Sequence, residues 1–150
     1  MPLSHSDNDA IRQVVNQYTA SVSDPKHKAS GQSVASYATH AVASAFADTD
    51  KSIFVGPAGI SVGHDAIGTR LAEMQADRFA DAQFHTHIDN VQQVASDVAI
   101  VAAKSTINGV KRKSGEKLPP LESNSLLTLI KKDGAWKIAA HAVAYQHHSP

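Results

Sequence analysis

Two runs of strand-forming residues, Leu126–Ile130 and Ala135–His141, flank Lys131–Lys132–Asp133–Gly134. Asp-Gly between such runs is the strongest short-range signal for a tight β-hairpin, because both residues tolerate the positive φ that the turn requires. The rest of the chain must therefore supply a sheet for this hairpin to join. Everything before it is ordered helix first, strand later, which confines the chain to few architectures.

The first helix is marked by Ser6 and Asp9, spaced as a capping box. Ile11, Val14, Val15, Tyr18 and Val22 follow on one helical face, and Asp24-Pro25 ends the run. Residues 25–31 read as a polar connector. A second, Ala-rich helix is expected from Ser33 to Phe46, with Val34, Tyr37, Ala38, Ala41 and Ala45 inward. Ile53–Val55 and Ile60–Val62 form a short hairpin across Gly56–Pro57–Ala58–Gly59. Gly63–His64–Asp65 opens a third helix that buries Ile67, Leu71 and Met74. Strands are expected over Ala82–Val94 and Val98–Ile107. A basic loop, Gly109–Pro120, leads to the closing hairpin. Helices followed by strands predict an α+β fold, with the helices on one face of an antiparallel sheet. One domain, residues 1–150, is expected, since this length suits a single core and no repeat or boundary interrupts it.

Charge excludes more than it suggests. Fourteen basic residues balance fourteen acidic ones, so neither a nucleic acid nor an anionic membrane is expected as a bulk-charge partner. The absence of cysteine rules out disulfides, thiolate catalysis and thiolate-bound zinc. No run approaches the roughly 20 apolar residues of a membrane span, and residues 1–9 have no apolar signal core, so a cytoplasmic location is expected.

Three stretches resemble the nuclear-transport-factor-2-like superfamily, the cone-shaped α+β fold of ketosteroid isomerases, scytalone dehydratase and SnoaL-like cyclases. Ile11–Tyr18 looks like its first helix. Phe46–Asp48, Ile53–Gly56 and Gly63–Ile67 look like the end of helix two, the first hairpin and the entry to helix three. Asp133–Ile138 looks like its D-G-x-W-x-I closing hairpin. The chain is most similar to small SnoaL-like bacterial proteins. The resemblance implies a curved, mixed or antiparallel sheet with three helices on one face, a small mostly apolar ligand in the cone, and a homodimer formed through the sheet. No cofactor is expected; two histidines at i, i+2 with one from another strand have the chemistry to bind zinc or copper, but no ligand-spacing motif accompanies them and no metal is expected. The superfamily contains isomerases, cyclases and dehydratases working by acid/base chemistry, and also non-catalytic ligand-sensing or association modules. Both readings stand for this chain.

Tyr18 sits where ketosteroid isomerases place an oxyanion-donating tyrosine; the alternative is a packed core tyrosine. The isomerase's base aspartate has no counterpart in Phe54–Val55–Gly56–Pro57, and its second acid falls at Asn124 or Ser125, so that particular chemistry is not expected. His85, His87 and Asp89 alternate and share one strand face. Facing the cone they form an oriented base; facing outward they are sheet surface, which the apolar opposite face (Phe84, Thr86, Ile88) favours unless a bulge intervenes. His141 is expected on the side of Lys137, Val143 and Tyr145 if its strand is regular, either as a base or as a structural histidine. His64 reads as a helix-start residue; His5, His27, His40, His147 and His148 read as surface. Phe54, Val55, Asn124, Trp136 and Tyr145 complete the expected ligand contacts.

Overall fold

The structure, a computed structural model, describes residues 5–23, 42–47, 50–76, 82–112 and 114–146. The chain runs α1 (His5–Ser23), α2 (residues 42–45), β1 (Ile53–Gly56), β2 (Gly59–Val62), α3 (His64–Ala76), β3 (Gln83–Ala95), β4 (Val98–Asn108), β5 (Leu121–Lys132) and β6 (Ala135–Gln146). The 25–31 connector, the expected start of α2, and His27, His40, His147 and His148 lie outside the described residues. One expectation shifts slightly: α1 already includes Ser6, so Ser6 is a first-turn residue rather than the cap. No described helix is long and apolar enough to cross a membrane.

The six strands form one sheet in the order β2-β1-β6-β5-β4-β3, antiparallel except where β1 runs parallel to β6. This is the α+β architecture expected, with a mixed sheet. The closing hairpin turns on Asp133 (φ 53°) and Gly134 (φ 82°), the paired positive φ of a type I′ turn. A Cβ at Gly134 would meet nothing within 4 Å, so Gly134→Ala carries backbone strain alone. Urea unfolding should show a loss of about 1 kcal/mol.

Among the described residues, helices cover only one face of this sheet. Ile11, Val15 and Tyr18 of α1, Val42, Phe46, and Ile67 and Leu71 of α3 pack with Phe54, Val101, Leu127, Leu129, Trp136 and Ile138 in the main core. A smaller cluster of Ala82, Ile107 and Val110, with Phe84, Leu118, Leu121 and Tyr145 against it, closes the other end of the long strands. Asp7 ties α1 to the last hairpin: its Oδ1 accepts from Trp136 Nε1 at 3.0 Å and from Lys131 Nζ at 3.1 Å.

Bulges in β6 and β3 set which side chains face the helices. In β6, Thr128 pairs with Ala140 but Leu129 pairs with Ile138, which leaves Ala139 as the extra residue. Trp136 and Ile138 point inward before it; His141, Val143 and Tyr145 do so after it. The regular strand that would set His141 beside Lys137 is not formed, because one inserted residue reverses the alternation. Lys137 instead donates to the Ser44 carbonyl oxygen at 2.7 Å. In β3 the extra residues are Asp89 and Val94, and both come after the two histidines, so they leave the histidines' facing unchanged.

The face without helices is apolar at its centre. Ala102, Leu126, Ala142, Val55 and Ile60 lie side by side in register across five strands; Ile100, Thr128, Ala140, Ile53 and Val62 form the adjacent row. Leu126 is 52% exposed, Val62 53% and Ile60 72%.

Candidate functional site

Between the main core and the smaller cluster, the sheet and helices line a cavity of about 60 Å³. That is room for a few waters or the buried part of one small ligand. Tyr18, Thr19, Leu71 and Met74 line it from the helices. The strands contribute Phe54, Ala103, Leu127 and Val143 as apolar wall, and Thr86, Ser105, Ser123, Ser125, His141 and Tyr145 as polar groups. No lysine, arginine, aspartate or glutamate is among the described lining residues.

At its centre a hydrogen-bonded chain crosses from helix to sheet. Tyr18 Oη lies 3.1 Å from His141 Nδ1, and His141 Nε2 lies 3.0 Å from Ser125 Oγ. The periodicity of α1 delivers Tyr18 to the sheet-facing side, where it is 5% exposed. The bulge at Ala139 delivers His141. Its imidazole is fixed edge-to-face between Tyr18 and Phe54, with ring centroids 5.4 and 5.3 Å away. Phe46 packs edge-on against Tyr18 at 5.4 Å.

Burial pushes His141 down to about 4, so the imidazole is neutral near pH 7. The Tyr18 phenol is pushed up, mainly by burial and secondarily by Tyr145, and keeps its proton. A neutral imidazole has one N–H and one lone pair, so two proton arrangements satisfy the chain. In one, Tyr18 donates to Nδ1 and Nε2–H donates to Ser125. In the other, Ser125 donates to Nε2 and Nδ1–H donates to Tyr18, which leaves the phenol hydrogen free for a ligand.

The other predicted site residues divide between the two faces. Phe54 and Tyr145 line the cavity with Tyr18 and His141. Trp136 is buried in the core beneath α1, away from the cavity lining. Asn124 and Val55 are exposed, one residue out of phase with the cavity-facing Ser123, Ser125 and Phe54. His85 and His87 are exposed on the helix-free face; His87 Nε2 lies 3.4 Å from Asp89 Oδ1, and Lys104 Nζ lies 3.9 Å from Asp89 Oδ2. The outward alternative for these histidines is the one adopted. No group of three or more metal-ligating side chains occurs among the described residues. His64 opens α3, with its Nε2 buried.

Ser123 is what the sequence reading passed over, and Ser125 enters it only as one counterpart of the isomerase's second acid. Ser123 and Ser125 occupy the same alternation as Leu127 and Leu129, and that phase marks them as inward-facing.

The sequence matches no family model and no curated protein. Its fold does match solved structures. One is the hexachlorocyclohexane dehydrochlorinase LinA-type3 from Novosphingobium barchaimii LL02, with TM-score 0.76 and 14% identity, covering 97% of this chain and 90% of that one. Another is a ketosteroid isomerase-like protein from Erwinia carotovora atroseptica, with TM-score 0.72 and 18% identity, covering 97% of this chain and all of the other (100%). A third is an NTF-2-like protein of unknown function from Shewanella oneidensis MR-1, with TM-score 0.67 and 12% identity, covering 91% and 98%. The chain thus has the α+β cone fold of NTF-2-like and ketosteroid isomerase-like proteins. At these identities the likeness is one of fold.

Proposed function

We propose that the protein binds a small, uncharged, mostly apolar molecule in its cone and moves a proton on it, in a cofactor-independent elimination or isomerisation. The observation that carries this reading is the Tyr18–His141–Ser125 chain, a run of proton donors and acceptors set in a cavity with no charged side chain among its described lining residues. The dehydrochlorinase and isomerase-like proteins that share the fold support it.

The chemistry follows from the two proton arrangements. A ligand oxygen or leaving group takes the Tyr18 hydroxyl hydrogen as a hydrogen bond, which frees the Nδ1 lone pair. His141 Nδ1 accepts the proton from carbon, and the C–H electron pair forms the new C=C bond. The departing group leaves with its own pair, or, in an isomerisation, the proton returns at another carbon. The resulting imidazolium donates Nδ1–H to the Tyr18 oxygen and Nε2–H to Ser125. The test is incubation in D2O with a panel of cyclic ketones and chlorinated cyclohexanes, read by NMR for deuterium uptake and by halide release. Exchange or release above the protein-free rate, abolished in His141→Ala, is the expected result. Binding without either reaction would replace this reading with the non-catalytic one.

That second reading has its own observation. No described cavity residue is a carboxylate that could offset an imidazolium, and a base held near pKa 4 is weak. A ligand-sensing module needs neither property. In both readings we propose a homodimer formed through the helix-free sheet face, where two apolar rows cross five strands. Leu126, at 52% exposure, stands in one of these rows. Leu126→Lys should convert a dimer to monomer in light scattering without lowering monomer stability. A wild-type monomer at micromolar concentration would overturn the dimer.

A further inference from the structure

Beyond the Tyr18–His141–Ser125 chain, the cavity contains polar groups that the proton transfer does not use. Thr86, Ser105, Ser123 and Tyr145 lie side by side in register on four adjacent strands, and all four line the cavity. Thr86 Oγ1 and Ser105 Oγ are hydrogen-bonded to each other at 2.9 Å. Ser123 is different: it is 3% exposed, lines the cavity, and takes no part in the Thr86–Ser105 bond. A hydroxyl facing a cavity is completed by what fills that cavity, water or a ligand. A purely structural wall at this position is better built from alanine, which the same sheet uses at Ala103 one row deeper.

We propose that Ser123, flanked by the Thr86–Ser105 pair, is an oxygen-binding subsite that selects a neutral ligand carrying a second oxygen across a short carbon skeleton. The proposal rests on the cavity being the ligand site. Ser123 and Ser125 are two residues apart on β5, so the subsite lies roughly 7 Å from the His141 end. A six-membered ring with oxygens on opposite carbons is a compact rigid skeleton of about that span. With no charged side chain among the described lining residues, the second group is a hydroxyl, carbonyl or ether rather than a carboxylate, whose desolvation nothing here offsets.

The experiment compares cyclohexanone, 4-hydroxycyclohexanone and cyclohexanecarboxylate by calorimetry or ligand-observed NMR, on the wild-type chain and on Ser123→Ala and Ser105→Ala. The hydroxyketone should bind about tenfold more tightly than cyclohexanone, and the carboxylate should not bind. Ser123→Ala should erase the tenfold preference and hold Tm. Ser105→Ala should reduce the preference in part. Equal binding of the two ketones overturns the subsite and leaves the cavity reading intact. Failure of both ketones to bind at millimolar concentration overturns both. A fall of several degrees in Tm for Ser123→Ala assigns the hydroxyl to structure and overturns the subsite.

Discussion

Trp136→Ala should cost about 3–5 kcal/mol, against a typical total of about 5–15 kcal/mol. Trp136 is 4% exposed in the main core, and its Nε1 donates to Asp7 Oδ1, so the truncation both empties core volume and cuts the tie to α1. Deleting Ala139 should cost far less. Ala139 is the extra residue of the β6 bulge; without it Ile138 and His141 stand two residues apart, and one regular alternation keeps Trp136, Ile138, His141, Val143 and Tyr145 on the same face. Urea unfolding of the two variants checks the expectation. A deletion variant as destabilised as Trp136→Ala would mean that the bulge does more than set the facing of β6.

The second large effect concerns His141. Under the proton-transfer reading, His141→Ala should reduce turnover by about 10²–10⁴-fold. Because the folded pKa is about 4, the acid limb of the wild-type rate should fall near pH 4, and the rate should be flat from pH 6 to 8. Stability carries the same signature. The folded imidazole resists protonation while the unfolded one, near 6.5, does not, so between those values the unfolded state holds more protons. His141 should therefore lower stability as pH falls from 6.5 to 4, by on the order of 3 kcal/mol, with no such loss above 6.5. His141→Phe should remove that slope, leaving only what the other histidines contribute. Identical pH–stability curves for wild type and His141→Phe would show that the imidazole is hydrated rather than buried.

Much of the architecture was legible because it rests on local chemistry. Asp133–Gly134 fixes a turn through φ alone, the α1 face repeats at helical spacing, and Gly63–His64–Asp65 opens a helix where the structure has one. Tyr18 and His141 could be named one at a time, since each residue type suits proton transfer. Their meeting could not be read. It depends on an extra residue within Ala139–Ala140, and two adjacent alanines pair as readily in a regular strand as in a bulged one. His85, His87 and Asp89 have the more conspicuous pattern, yet the apolar phase of Phe84 and Ile88 decides their direction. Ser123 and Ser125 were hidden by their polarity, although they share the phase of Leu127 and Leu129.

The position of β6 has a consequence for synthesis of the chain. It is the last strand in order, yet it lies inside the sheet, between β1 and β5. Until it emerges, the β1–β2 hairpin has no neighbour to join it to β5, β4 and β3. Trp136 cannot yet reach Asp7, and Tyr18 waits for a partner 123 positions downstream. Native closure therefore waits for translation of β6, and a ribosome pausing before Ala135 holds a three-stranded sheet whose β5 edge is unpaired. That nascent intermediate is where a holdase chaperone would find exposed strand to bind.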